Sequence, residues 1–202
     1  MPVMPVLLDY VAAQGHAVFT AGEYNLNIIG IRTPDDTANT FNDRLCVVYR
    51  DEFGWVTRGP WPITTDPGLY WRKHPMRVSG TAILCPQQAR GAYKIGTHRT
   101  YAALVQRGRV KIWRDNNRDE VLDTDPSVDT DSGHYGINIH RATSRRDGAT
   151  GGGSTLVDRF SAGCQVFADP DDYDVFMGLC RKQVEVNGWE TFTYTLVDAS
   201  VY

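Results

Sequence analysis

Between residues 26 and 114 one pattern keeps returning: a short run of β-branched or aromatic residues, then a breaker. The runs are LNIIGIR, RLCVVYR, GWVTRGPWPIT, GTAILC, AYKIG, YAALVQ and RVKIWR, separated by Gly, Pro, Asn and Asp. Runs this short, punctuated this way, predict strands. RDEFG and QRGRV read as hairpin turns, and ETFTYTLVD adds an alternating strand late in the chain. Two helical stretches frame this body. PVLLDYVAAQ, residues 5–14, is amphipathic and stops at Gly15. ADPDDYDVFMGLCRKQVEVNG opens with Pro170, which a first helical turn tolerates, and with Asp171 and Asp172, which complement the positive helix end. Its Tyr173, Phe176, Met177 and Cys180 form an apolar stripe that ends before Asn187-Gly188. The expectation is a mainly β fold with a few helices. It forms one domain over residues 1–202, with 1–24 as a helical lead-in.

Composition narrows the partners. With 202 residues, 42% of them hydrophobic, the chain is long enough to bury a substantial core. Its 21 basic and 24 acidic side chains leave a net charge of −3, too weak a field to attract nucleic acid or an anionic membrane, so neither is expected. No apolar run approaches the ~20 residues that a bilayer requires. The start, MPVMPVLLDYVAAQGHAVFT, lacks a basic first segment and an unbroken apolar stretch, so synthesis in the cytoplasm without a signal peptide is expected. Cys46, Cys85, Cys164 and Cys180 form no CxxC pair, which argues against a zinc site or a disulfide scaffold. Three of them, Cys46, Cys85 and Cys180, have apolar neighbours and are expected in the core, where free cysteine acts as a small hydrophobe.

Cys164 differs, because FSAGCQVF places it directly after Ser161-Ala162-Gly163 in a strand-like run. Glycine before a thiol permits a tight turn that exposes the sulfur, and the amides of Gly163 and Cys164 are then available to a substrate oxygen. A catalytic thiol also needs a base. His140 ends the alternating run YGINIH, in which Tyr135, Ile137 and Ile139 share one face while Gly136, Asn138 and His140 share the other. His134, on the same face, competes for the role, whereas His98 reads as a pocket wall or surface residue. The polar, Gly-rich RATSRRDGATGGGS, residues 141–154, separates His140 from Cys164 and is expected to be a mobile loop. The nucleophile, base and paired amides make an acyl-transfer set.

GINIHRAT followed by SAGCQVF resembles the signature of the L,D-transpeptidase (YkuD-type) family, and GAYKIGTHRTY and VKIWRDNNRD look similar to strands of phage lysis-type relatives. The resemblance implies a β-sandwich or open barrel with a helix packed after the cysteine strand. It also implies Cys164 as nucleophile, His140 as base, Ser161 as a supporting polar residue and bacterial peptidoglycan stem peptide as substrate. The chain departs from the pattern in three places. Twenty-four positions separate His140 from Cys164, Ala162 replaces a histidine, and Gln165-Val166 replaces an apolar-then-Arg/Asn pair. Arg141 or Arg159 is then expected to take a substrate carboxylate, since a guanidinium grips one at two points. Tyr135 and Asn138 complete the expected substrate contacts.

The implied activity is a cysteine-dependent peptidoglycan hydrolase, endolysin-like, acting on the cell wall in the periplasm after release or delivery. A cross-linking transpeptidase, an inactive phage structural protein and a glycan-cleaving enzyme using carboxylates such as Glu190 or Asp158 are the alternatives. No cofactor is required by this chemistry. Asp115, Asn117, Asp119 and Asp123 fall at positions 1, 3, 5 and 9 of an oxygen-ligand loop that would suit a structural calcium. Glu120 and Pro126, at positions 6 and 12, exclude an EF-hand, and a solvated acidic turn is the other reading.

Overall fold

The computed structural model describes residues 4–35, 39–125, 130–143 and 153–199. It is mainly β, as the strand runs predict, but the principal sheet closes completely. Among the described residues eight strands form a barrel in the order β1 (Asn27–Arg32), β11 (Thr191–Asp198), β5 (Gln87–His98), β6 (Tyr101–Gln106), β9 (Ile139–Arg141), β10 (Gln165–Phe167), β3 (Gly54–Thr64) and β2 (Asp43–Asp51), and β4 (Thr81–Leu84), β7 (Val110–Asp115) and β8 (Asp131–Gly133) form a separate three-stranded sheet. A closed barrel leaves no unpaired strand edge. This corrects the expected sandwich or open barrel. The pairing that closes the ring at the N-terminal strand is long-range, with β1 (Asn27–Arg32) lying parallel to β11 (Thr191–Asp198).

The predicted RDEFG turn joins β2 (Asp43–Asp51) to β3 (Gly54–Thr64) as an antiparallel hairpin. QRGRV is not a hairpin. It carries the chain from β6 (Tyr101–Gln106) in the barrel to β7 (Val110–Asp115) in the second sheet, where β7 pairs with β4 (Thr81–Leu84) and β8 (Asp131–Gly133). The hairpin in this region is instead β5 (Gln87–His98) with β6, through a two-residue turn at Arg99-Thr100.

Two helices pack where their apolar stripes direct them. The first, α1 (Val6–Ala13), lays Leu7, Leu8 and Val11 over Ile29, Cys46, Val48 and Val197 on the outside of the barrel. A short α2 (Leu69–Lys73), without a signal of its own in the sequence, buries Arg72 completely. The long α3 (Pro170–Asn187) begins at Asp169, whose side chain accepts the Asp171 N–H, and ends at Gly188 in the left-handed conformation. Tyr173, Phe176, Met177 and Cys180 enter the main core with Phe167, Ile139, Leu104 and Tyr194. Phe167, on the strand that follows Cys164, contacts the rings of Trp61, Tyr173 and Phe176 at centroid distances of 5.9, 5.4 and 5.0 Å. Burying such a ring stabilises the fold by roughly 1.5–3 kcal/mol, and here it anchors the strand under the site. Cys46, Cys85 and Cys180 are buried as expected. Among the described residues no helix is long and apolar enough to cross a membrane.

Candidate active site

Two short parallel strands hold the site on the outer wall of the barrel: β9 (Ile139–Arg141) and β10 (Gln165–Phe167). Their register pairs Ile139 with Gln165 and His140 with Val166. Ile139 and Phe167 point into the core, so the alternation of a strand turns His140 and Val166 outward. Cys164, two residues before Val166, lies on that same outward side next to Asn138. The Asn138 amide donates to Cys164 Sγ at 3.4 Å, and Gln165 N–H donates to Asn138 O at 2.9 Å. Parallel pairing therefore sets Cys164 beside Asn138, two residues before His140, across the long connection, most of which, residues 144–152, lies outside the described residues.

The turn that presents the thiol is built by Ser161 and Gly163. Ser161 is fully buried; its hydroxyl accepts the Gly163 N–H at 3.1 Å and donates to Cys164 O at 2.8 Å. Ser161 is thus a staple of the turn. Gly163 has φ 116°, and a Cβ there would come within 2.4 Å of Ala82 O on β4, so only glycine fits. Behind the turn, Gln165 Nε2 reaches the Gly163 and Thr65 carbonyls, both at 3.4 Å, while Tyr194 donates to Gln165 Oε1 at 2.9 Å. The expected oxyanion pair is reduced to one donor. The Gly163 amide is spent on Ser161, leaving the Cys164 amide, which has no hydrogen-bond partner among the described residues.

His140 is 4% exposed and its tautomer follows from its partners. Nδ1 lies 3.0 Å from Arg141 O, an atom that can only accept, so Nδ1 carries the proton. The Tyr101 hydroxyl, 3.3 Å from Nδ1, itself donates to Arg141 O at 3.0 Å. In the neutral ring Nε2 then holds the free lone pair. Burial, with smaller contributions led by the neighbouring His98, pushes the imidazole down to about 3. Burial likewise pushes the Cys164 thiol up to about 11, against the Asn138 N–H and the Arg99 charge, which both favour the thiolate. The resting pair is a neutral thiol and a neutral imidazole. No hydrogen bond joins them; Cys164 Sγ donates to Gly136 O at 3.5 Å. The sulfur turns on a single bond, and catalytic hydrogen bonds commonly tighten only when substrate is seated.

His98 is the residue that the sequence reading undervalued. Its ring stacks on His140 with centroids 4.1 Å apart and planes 11° from parallel. Asn138 holds it there: Oδ1 accepts the Gln106 N–H at 2.9 Å, which turns Nδ2 toward His98 Nδ1 at 3.1 Å. Asn138 therefore positions both the thiol, through its backbone N–H, and the imidazole pair, through its side chain. An open cavity of about 230 Å³ lies beside the stack, lined by His98, Arg99, Tyr101, His140, Arg141 and Phe160 among others.

The remaining expected site residues are placed as follows. Arg141 lines this cavity, its guanidinium 4.2 Å from the Tyr101 ring centroid. Arg159 does not; it lies 3.9 Å over the Tyr70 ring, in a neighbouring cavity with His74. Tyr135 sits under the Arg114 guanidinium at 5.0 Å and borders a small pocket with Ala162, apart from the His140 cavity. His134 is exposed, outside the strands, and takes no part. The first residue of the acidic loop is paired with a buried arginine. Asp115 is fully buried with its Oδ2 3.2 Å from Arg72 Nε, while Asn117 donates to Asp123 and accepts the Asp119 N–H, and Asp119 accepts the Val121 N–H. Among the described residues no group of three or more His, Cys, Asp or Glu side chains is arranged to hold a metal ion. Compared with protein-family models, curated proteins and solved structures, the chain matches none.

Proposed function

We propose that this chain is a cysteine acyl-transfer enzyme that hydrolyses peptidoglycan stem peptides, with Cys164 as nucleophile and His140 as base. The observation that carries the reading is the His140 tautomer: Nδ1 is committed to Arg141 O, which leaves Nε2 as the free acceptor of the ring, two residues along the chain from the Asn138 N–H that holds the thiol. His140 Nε2 takes the Cys164 proton as Sγ attacks a peptide carbonyl. The oxyanion faces the Cys164 amide, and the departing amine takes the proton back from His140. Water then attacks the thioester, its proton passing through His140 to Sγ as the acid leaves. An amine in place of water gives a cross-link. The resemblance of GINIHRAT and SAGCQVF to the L,D-transpeptidase signature supports the choice of substrate and the cell wall as the place of action.

Purified sacculi digested with wild type and with Cys164→Ala test this. The reading expects peptide-cleaved fragments from wild type and none above background from the variant, with products identified by mass. Equal release by both proteins, or fragments cut in the glycan, would contradict it.

A further inference from the structure

The cavity beside His140 carries an unbalanced charge. Arg99 and Arg141 both line it, with His98, Thr100, Tyr101, Ala142 and Phe160, and among the described residues none that lines it is acidic. Neither guanidinium has an ion-pair partner among the described residues. Arg141 is steadied by the Tyr101 ring. Arg99 is exposed and opens the β5–β6 turn with φ 56°, a left-handed conformation that glycine, asparagine or aspartate usually takes. An arginine held at such a position, over a cavity, points to a use for its charge. That charge is felt by His98, Tyr101, His140 and Cys164 alike, which places it over the whole site. At about 230 Å³ the cavity exceeds a bare carboxylate and suits a small residue that carries one.

We propose that this cavity is a carboxylate-binding subsite for the acyl donor, with Arg99 the specificity-determining residue and Arg141 its partner. The assignment of the anion to the acyl donor rests on the acyl-transfer reading above. The anion site itself does not, and the test separates the two. Cys164 is alkylated at pH 9 with iodoacetate and with iodoacetamide, and the modified residue is identified by mass. In each case the thiolate forms an S–C bond, the C–I bond breaks, iodide leaves and the thiol proton passes to buffer.

Arg99→Gly removes the guanidinium and relieves the positive φ, so the variant is expected to melt no lower than wild type. Its ratio of iodoacetate to iodoacetamide rates is expected to fall about tenfold, the factor for one lost charge-assisted hydrogen bond. Arg99→Lys, which keeps the charge without the fork, should fall between. An unchanged ratio in a folded Arg99→Gly variant overturns the proposal, and so does a Cys164 resistant to both reagents, because the cavity would then not lead to the sulfur. A lowered ratio in a protein that leaves sacculi intact upholds the anion site and removes only its assignment to a stem peptide.

Discussion

Replacing His140 with alanine is expected to lower kcat/KM on stem peptides by about 10²–10⁴, the usual contribution of a positioned base. The pH profile distinguishes loss of the base from a general disturbance. With the imidazole pushed down to about 3 by burial, His140 is already in its basic form across the mildly acidic range. The acid limb of kcat/KM should therefore fall near pH 3–4, well below the ordinary histidine value of 6.5. Folding stability carries the same signature. The folded pKa is below the unfolded one, so the unfolded chain binds more protons between about pH 3 and 6.5. The stability that neutral His140 contributes is present above pH 6.5 and is lost as pH falls through that window, at up to about 1.4 kcal/mol per pH unit. Urea denaturation at pH 7 and at pH 4.5 should show the fall in wild type and a shallower one in His140→Gln. An acid limb near 6.5 would contradict the buried, neutral base.

The largest effect on stability is expected from Arg72→Ala. Arg72 is fully buried on α2, and Asp115, its partner at the end of β7, is fully buried too. Removing one member of such a pair leaves an uncompensated charge and typically costs about 3–5 kcal/mol. The pH dependence has the opposite sense to that of His140. Burial already pushes Asp115 up to about 6 against the lowering effect of Arg72, so its folded pKa exceeds the unfolded 3.8. Stability is fully present below pH 3.8 and is lost as pH rises through the folded value, which climbs further once Arg72 is gone. The loss in Arg72→Ala should thus be larger at pH 7 than at pH 5. Replacing both residues by leucine should cost less than the single change. The site should feel the single change, because α2 also braces the thiol turn: Gly68 N–H donates to Ser161 O at 2.9 Å and Thr81 Oγ1 donates to Trp71 O at 2.6 Å. A loss below about 1 kcal/mol at pH 7, the range of an exposed pair, would contradict this account of the pair.

Features that depend on neighbours in sequence were legible. The strand runs, the RDEFG hairpin and the Pro170 start, apolar stripe and Gly188 stop of α3 are local patterns, and each appears where its pattern lies. Closure of the barrel was not legible, because it depends on β1 meeting β11 from the other end of the chain. QRGRV shows why a turn-like string alone misleads: the same residues end a strand in one sheet and begin one in another. At the site, GINIH and SAGC pointed to His140, Cys164, Ser161 and Gly163; Gly163 makes the tight turn its lack of a side chain led one to expect, and Ser161 holds that turn. His98 carried no periodic signal, since its place against His140 arises from the β5-β6-β9 order and from Asn138. The surroundings of the acidic loop depend on the fold for a related reason. Spacing aligned Asp115 with a ligand position, but only the fold could bring a buried arginine to it.

The central claim is a covalent acyl group on Cys164. Rapid mixing of the protein with a stem peptide, acid quench and intact-mass measurement address it directly. The account predicts a transient mass increase equal to the acyl fragment, located on Cys164, removed by hydroxylamine and lacking in both Cys164→Ala and His140→Ala. Turnover of the peptide with no adduct at any time point, together with undiminished turnover by Cys164→Ala, would contradict it.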